Sequence, residues 1–515
     1  MPRIRIDGRD IEIQNGDTVL AAARRAGISI PSMCFSERLG HFASCLVCLV
    51  EDNKTKRLIP SCAAPARDGM DVATATDRVT AARRASLELL LSEHIGDCEG
   101  PCRKACPARV DIPRILRLVG AGRAADALPL LRESTALPAT ICRICPASCE
   151  RACRRGQVDA GVAIRLVHLF LPTVIPAPVA ASSGKRIAIV GAGPAGLSAA
   201  FHLLSAGHGC VLFDANEFPG GMLRYGVPED RLPRDILDAD IDAIRRMGAE
   251  FRMNTALGEK ISLAELERGF DAVVLATGHL EPKALARAGI AAADAVRADP
   301  ATFATPNPRI FAGGDLLRAA RMAARGVFHG RAIAASLDQL FRNRPVTGLP
   351  AKFNSLVGKP LPGELEELMK GVDAAARTAP ANASGVFTAA EAVRESARCM
   401  HCDCRKADDC RLRELATACD ARQPRYKADA RPKLEKNLEH PAIIFEPGKC
   451  IRCGLCVRLT GTEHERLGMA FLGRGYAMRI GVPFGEPLAH GLEATAEDCV
   501  KICPTGALTF RSAEF

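Results

Sequence analysis

Three observations predict a multidomain chain that combines α/β with α+β architecture. The first is length: 515 residues suggest about three or four domains. The second is a β-branched run, Lys185 to Val190, which closes on Gly191-x-Gly193-x-x-Gly196 and a helical stretch from Leu197 to Leu204. That order of strand, glycine turn and helix belongs to a parallel sheet. The third is cysteine: there are 22, and only Cys210 stands well away from any other. So many thiols in a reducing compartment imply that metals hold them.

The glycine turn carries a physical reading. Gly191 allows a tight turn, Gly193 lets backbone approach a pyrophosphate, and Gly196 lets helix pack on strand. A second strand, Cys210 to Phe213, ends in Asp214, 23 residues after Gly191, where a carboxylate meets a ribose hydroxyl. Two further buried strands follow, in Phe270 to Gly278 and in Arg309 to Asp315, with Gly220 to Pro228 lying before them. This pattern resembles the FAD domain of the glutamate synthase small subunit and its relatives, which include the flavin end of dihydropyrimidine dehydrogenase. The resemblance implies a Rossmann-like FAD domain over 184–341. It would hold FAD through Gly191, Gly193, Gly196, Asp214, Gly221, Thr277, Gly278, Gly314 and Asp315, with Asp214 at the ribose and Asp315 near the ribityl chain. One departure matters. The family inserts an NAD(P)H-binding domain with its own fingerprint between the third and fourth of these strands. Here Gly278 and Arg309 are 31 positions apart, with no second fingerprint between them. A nucleotide-binding domain needs roughly 100 residues. No direct NAD(P)H binding is expected.

Residues 1–80 open with alternating Ile4, Ile6, Ile11 and Ile13, a hairpin pattern, and then Asp17-Thr-Val-Leu, a capped helix start. Cys34, Cys45, Cys48 and Cys62 follow, with gaps of ten, two and thirteen. Their order resembles a plant-type ferredoxin, whose first gap is four. The longer gap is similar to the module of complex I, iron-only hydrogenases and some formate dehydrogenases. The resemblance implies a β-grasp ferredoxin-like domain with one [2Fe–2S] centre; zinc is the alternative.

Residues 81–173 form a helical domain with a second cysteine region. His94-x3-Cys98, Cys102 and Cys106-Pro107 precede a helical spacer, Asp111 to Leu131; Cys142, Cys145-Pro146, Cys149 and Cys153 follow it. The second group, with Gly161 to His168, resembles the two-cluster domain of the glutamate synthase small subunit. Carried over by position, one [4Fe–4S] centre takes Cys98, Cys102 and Cys153 with His94. The other takes Cys106, Cys145 and Cys149 with His168. His94-x3-Cys98 also looks like the histidine-ligated centre of complex I. Against ligation, His94 reads as an exposed turn residue and His168 as a hydrogen-bonded helix histidine; Cys142 is a substitute for either.

Val174 to Ser183 is a Pro-, Ala- and Ser-rich linker, and 342–387 a connector with one helical piece, Gly363 to Ala376. Residues 388–515 carry Cys399-x2-Cys402-x-Cys404-x5-Cys410 at the end of a helix from Thr388, a spacing open to zinc or to [4Fe–4S]. Cys450, Cys453 and Cys456 with Cys503-Pro504 complete one ferredoxin-like cluster set. Thr460, Glu493 and Ala496 stand where a second set would have cysteines, and Cys499 is left over. This end is similar to the ferredoxin segment of formate dehydrogenase and complex I-type subunits.

The formal charge of +10 counts thiols as neutral, and ligating thiolates offset it, so no nucleic-acid partner is expected. No apolar run approaches the roughly 18 residues of a membrane span, and Met1 to Asp7 lacks a signal-peptide core. The expected location is cytoplasmic. The leading expectation is an electron-transfer subunit with FAD, one [2Fe–2S] and about four [4Fe–4S] centres, wiring a diaphorase-like partner to a catalytic oxidoreductase subunit. The alternative is a self-contained NAD(P)H oxidoreductase of the glutamate synthase small-subunit type. A zinc-held scaffold fits the glycine fingerprint least.

Overall fold

The computed structural model of the protein describes residues 1–171, 179–280, 286–289, 296–317, 322–426 and 431–511. Part of the expected linker at 174–183 and part of the stretch between Gly278 and Arg309 lie outside these residues. The chain forms two compact units. The first gathers Met1–Gly100, Ala351–Val372 and Met400–Phe515; the second gathers Pro101–Pro350 and Asp373–Cys399. The sequence of the second is thus inserted, in two pieces, into that of the first.

In the first unit, strand Arg3–Ile6 turns through Asp7 and Gly8, both at positive φ, into antiparallel strand Arg9–Glu12. That turn matches the twist of paired strands. The alternating isoleucines all point into one core. Five strands lie in the order Arg9–Glu12, Arg3–Ile6, Asp71–Ala73, Leu49–Asp52, Leu58–Pro60, and the second pairing of that order is parallel. Helix Val19–Arg25 starts where the Thr18 hydroxyl accepts from the Ala21 N–H. Helix Asp77–Ser92, capped by Thr76, runs from this sheet toward His94 and buries Leu87 and Leu91 in a second core. That core is closed by strands Ile443–Phe445 and Leu508–Phe510, an antiparallel pair, and by helices Leu455–Thr462 and Ala496–Ile502. The helical piece expected over 363–376 is shorter, Glu364–Met369; Gly371, at φ 71°, turns the chain out of it.

In the second unit, five parallel strands lie in the order Glu250–Arg252, Gly209–Phe213, Arg186–Val190, Ala272–Leu275, Ile310–Ala312. Helix Pro194–Ser205 and the long helix Ala323–Phe341 pack tightly on one another. Glycine makes the contact possible: a Cβ at Gly330 would stand 2.2 Å from the Ala195 carbonyl oxygen. The helical part of this unit, with Ile112–Gly120, Ala124–Ser134 and Ile164–Phe170, buries Ile115, Val119, Leu131 and Ile164 in the same core.

The returning segment docks by its helix Ala389–Ala397, which Thr388 and Glu391 cap reciprocally. An ion network holds it there. The fully buried Arg398 guanidinium meets both Asp159 oxygens at 3.1 Å and Glu395 at 2.9 Å. Arg155 makes two bonds of 2.7 Å to the same Asp159 and donates to the Arg398 carbonyl at 3.1 Å. Glu395 also accepts from Ala163 N–H and Thr378 N–H, each at 2.7 Å. Two cations and two anions are therefore paired and hydrogen-bonded, the condition under which buried charge is tolerated. Among the described residues no helix is long and apolar enough to cross a membrane.

Two outcomes follow from this packing. Gly330→Ala should lower the thermal midpoint of the second unit, since overpacking costs about 1–3 kcal/mol. Gly269→Ala, with open space around it at the end of helix Leu263–Gly269, should leave the midpoint unchanged or raise it slightly. Arg398→Met should cost about 3–5 kcal/mol by leaving Glu395 and Asp159 underpaired. The side chain of Arg155 holds the Asp159 carboxyl below the usual carboxylate range. Its stabilisation is therefore present at neutral pH and lost as the pH falls through the folded-state value. Thermal unfolding followed from pH 7 downward should show the wild type losing more stability than Arg398→Met.

Candidate redox-cofactor sites

The first unit holds three groups of thiols. Cys34 and Cys45, from the loop after the first helix, bring their sulfurs to 3.3 Å. Cys62 faces both Cys34 and Cys48, so all four predicted residues adjoin one another, buried. Four buried thiols that adjoin one another without a disulfide are the donor chemistry of a metal cluster.

Cys450, Cys453, Cys456 and Cys503 line one pocket, walled by Phe445 and Ile480. Burial pushes Cys450 up to about 11, and the Arg452 N–H donates to its sulfur at 3.4 Å. Cys499 is fully buried and does not line the pocket; Thr460 turns its hydroxyl to the Cys456 and Val457 carbonyls of its own helix.

The third group departs from the expected division. Cys404 N–H donates to the Cys98 carbonyl at 3.4 Å. Cys410 lies against the turn Pro504 to Gly506, and so does Cys404. Cys98, expected with Cys102 and Cys153, thus belongs to the first unit while those two belong to the second. Cys402 packs beside Ile95, Met400 and Leu434. His94 is buried, not an exposed turn residue: its Nδ1 has no hydrogen-bond partner, and burial lowers its pKa to about 4.

In the second unit, Cys106, Cys145 and Cys149 lie within range of one another's charge, and Cys142 joins them. Burial first, then these neighbours, push Cys142 and Cys149 up. Cys142 is therefore close enough to this set to feel its charge. His168, on helix Ile164–Phe170, is buried with an Nε2 that has no hydrogen-bond partner, and burial lowers its pKa to about 4. Cys102, Cys153 and Cys399 pack on this unit's core. Cys399 is thereby separated in unit from Cys402, Cys404 and Cys410. Among the described residues no group of three or more His, Cys, Asp or Glu converges as the ligands of a single metal ion do.

The glycine turn is built as its residues suggest. A Cβ at Gly191 would stand 2.3 Å from the Ala276 oxygen, and one at Gly196 would stand 1.8 Å from the Gly191 oxygen. At Gly193 the nearest atom would be 3.8 Å away, so its backbone stays open to a ligand, while Gly221, at φ 52°, packs its own backbone against Gly193. Asp214 ends its strand and accepts from Ala192 N–H at 2.7 Å and from Asn216 N–H and Nδ2 at 2.9 and 2.8 Å. Thr277 and Gly278 follow strand Ala272–Leu275; Gly314 and Asp315 form a short turn after Ile310–Ala312. Sequence reasoning did not single out His329, whose Nδ1 accepts from the Gly314 N–H at 3.0 Å and whose ring meets Phe303 at 4.6 Å. Nothing in its spacing marks it; only the packing of the long helix brings it to this turn.

Three family models match the chain. A 2Fe-2S iron-sulfur cluster binding domain matches residues 2–77, and the dihydropyrimidine dehydrogenase domain II, 4Fe-4S cluster, matches residues 84–175. An NAD(P)-binding Rossmann-like domain matches residues 189–239, which stands against the expectation that the chain has no nicotinamide-nucleotide domain. That expectation rested on an inserted domain alone and overlooked that the one fingerprint present suits either dinucleotide. Among relatives, NADP(+)-dependent formate dehydrogenase subunit beta of Moorella thermoacetica is 39% identical, over 38% of this chain and 31% of its own. NADPH-Fe(3+) oxidoreductase subunit beta of Geobacter sulfurreducens is 39% identical over 35% of this chain and 28% of its own. The small chain of glutamate synthase [NADPH] of Mycobacterium tuberculosis is 40% identical over 35% of this chain and 39% of its own. A solved NAD+-reducing [NiFe]-hydrogenase aligns over 100% of this chain and 89% of that chain, with a TM-score of 0.37 and 14% identity. The aligned part spans well under half the length of these curated relatives.

Proposed function

We propose that the chain is an electron-transfer flavo-iron–sulfur subunit of a cytoplasmic oxidoreductase complex. It would relay electrons between a diaphorase-like donor and a catalytic subunit. The observation that carries this reading is the succession of thiol groups in the first unit. The Cys34 charge reaches Cys453, and the Cys503 charge reaches Cys410, so the three groups follow one another as neighbours. A β-grasp ferredoxin-like domain at one end, with Cys34, Cys45, Cys48 and Cys62, supports entry by one-electron transfer from a docked partner. The relatives' names, oxidoreductase subunits beta, agree with a role inside a larger assembly.

The residues around the glycine turn fit FAD. The open backbone at Gly193 and the N-terminus of helix Pro194–Ser205 would receive a pyrophosphate, with Asp214 toward the ribose and Asp315 toward the ribityl chain. When bound, the flavin would supply the exchange between two-electron and one-electron transfer. The protein's own work is to hold the dinucleotide and keep water from its inner edge. A second reading, nicotinamide nucleotide in this same site, is favoured by the NAD(P)-binding model over residues 189–239.

Anaerobically purified protein is expected to contain flavin and iron, with flavin that dithionite reduces and neither NADH nor NADPH bleaches in stopped-flow mixing. Bound nicotinamide nucleotide in place of flavin would establish the second reading, and rapid bleaching would instead establish a self-contained NAD(P)H oxidoreductase. His94→Cys is expected to retain its iron–sulfur signal and to lower that centre's midpoint potential, because a thiolate adds negative charge where an imidazole adds none. A redox titration unchanged by the substitution would remove His94 from the ligands.

A further inference from the structure

Cys98 and the pair Cys404 and Cys410 are far apart in sequence, yet in the first unit they share one site. The backbone ties the first two together, Cys404 N–H donating to the Cys98 carbonyl at 3.4 Å. The turn Pro504 to Gly506 ties the last two. The Cys410 sulfur faces the Pro504 carbonyl at 3.9 Å, and Arg411 N–H donates to that same carbonyl at 3.0 Å. A Cβ at Gly506 would stand 2.3 Å from the Cys404 sulfur, so only glycine admits that thiol. All three thiols are buried, at 7%, 6% and 9% exposure.

The surroundings are those of ligating sulfur and not of structural cysteine. Ser355 donates its N–H to the Cys98 sulfur at 3.4 Å, and its hydroxyl, bonded to the Gly96 carbonyl at 2.6 Å, is held 3.3 Å from the same sulfur. Backbone N–H groups of Arg413 and Leu412 face Cys410. Lys449 is buried beside Cys404, its ammonium 2.6 Å from Glu446 and its chain run past Gly96, where a Cβ would stand 2.7 Å from Lys449 Cε. Donors and a cation gathered around three desolvated thiols offset thiolate charge, which neutral thiols would not need.

We infer that Cys98, Cys404 and Cys410 ligate one iron–sulfur centre, assembled from chain segments that flank the inserted second unit. Ligation forms three Fe–S bonds and releases the three thiol protons to solvent. The run Cys399 to Cys410 is then not one site: Cys399 packs on the second unit's core, where Cys102 and Cys153 also lie. One position of the new set remains, and His94, four residues before Cys98, is the buried donor in this unit whose Nδ1 has no other partner. The inference rests on the iron–sulfur reading of the first unit.

The test groups ligands by which losses fail to add. Cys98→Ala, Cys410→Ala, Cys102→Ala and the doubles C98A/C410A and C98A/C102A are made in the full chain, purified anaerobically and reconstituted with iron and sulfide. Iron per chain and low-temperature EPR are read. Cys98→Ala and Cys410→Ala are expected to abolish the same signal, and their double to lose no more iron than either alone. C98A/C102A is expected to lose the iron of two centres. The reverse, with Cys98 and Cys102 as the non-additive pair, overturns the inference. The [2Fe–2S] signal of Cys34 to Cys62 is the folding control. Where an alanine variant loses that too, Cys98→Ser and Cys410→Ser replace it: a shift in one shared signal supports the grouping, and shifts in two different signals overturn it. Wild-type protein that takes up no iron beyond the [2Fe–2S] centre would instead overturn the electron-transfer reading itself.

Discussion

The Arg398 guanidinium anchors the returning segment within the second unit. It is fully buried, bonded to Asp159 and Glu395, and covered by the Ala160 and Ala375 carbonyls at 2.8 Å each. Removing such a cation from its partners costs about 3–5 kcal/mol, more than a short loop gains from any alternative packing. Residue 398 is therefore fixed in the second unit, and Cys399, the next residue, is fixed with it. Met400 already belongs to the first unit.

Desolvation is the shared constraint on the thiols themselves. Cys404, Cys450 and Cys149 are all pushed above the ordinary thiol value by burial before any neighbour acts. As free thiols they would be inert apolar side chains, and nothing would require the N–H groups of Ser355, Arg452 and Leu412 to face them. Those donors acquire a role only toward sulfur carrying charge. In iron–sulfur sites such bonds, with burial and local cations, set the reduction potential. Lys449, buried beside Cys404, is such a cation.

Local chemistry was legible in the sequence, and long-range assembly was not. Asp7-Gly8, the Thr18, Thr76 and Thr388 caps and the strand–glycine–helix unit at Arg186–Ser205 each depend on residues a few positions apart, and each forms. The first thiol group and the Cys450, Cys453, Cys456 and Cys503 set come together as their spacing suggests. The helix expected to reach Ala376 stops at Met369 because Gly371 takes φ 71°, a local signal that was underweighted. The approach of Cys404 to Cys98 is illegible for another reason: it depends on the folding of segments far apart in the chain, which local spacing does not record. His329 reached the Gly314 turn in the same way, through glycines that let two helices approach.

The same geometry narrows the nucleotide question. Asp214 is 8% exposed, and its two carboxylate oxygens already accept from Ala192 N–H and from both nitrogens of Asn216. A carboxylate has about four acceptor sites, so roughly one remains for a ribose hydroxyl. A 2′-phosphate placed there would meet a buried negative charge, and the N–H groups that could have received it are already bonded to that charge. Dinucleotides that recognise an arginine-lined pocket by their 2′-phosphate are thereby disfavoured at this turn. On the proposed reading the turn would take an unphosphorylated adenosine ribose, which FAD and NAD share. The choice between those two falls on what lies beyond the pyrophosphate, where Gly220 and Gly221 bring backbone against Gly193 and where Asp315 and His329 flank the Gly314 turn.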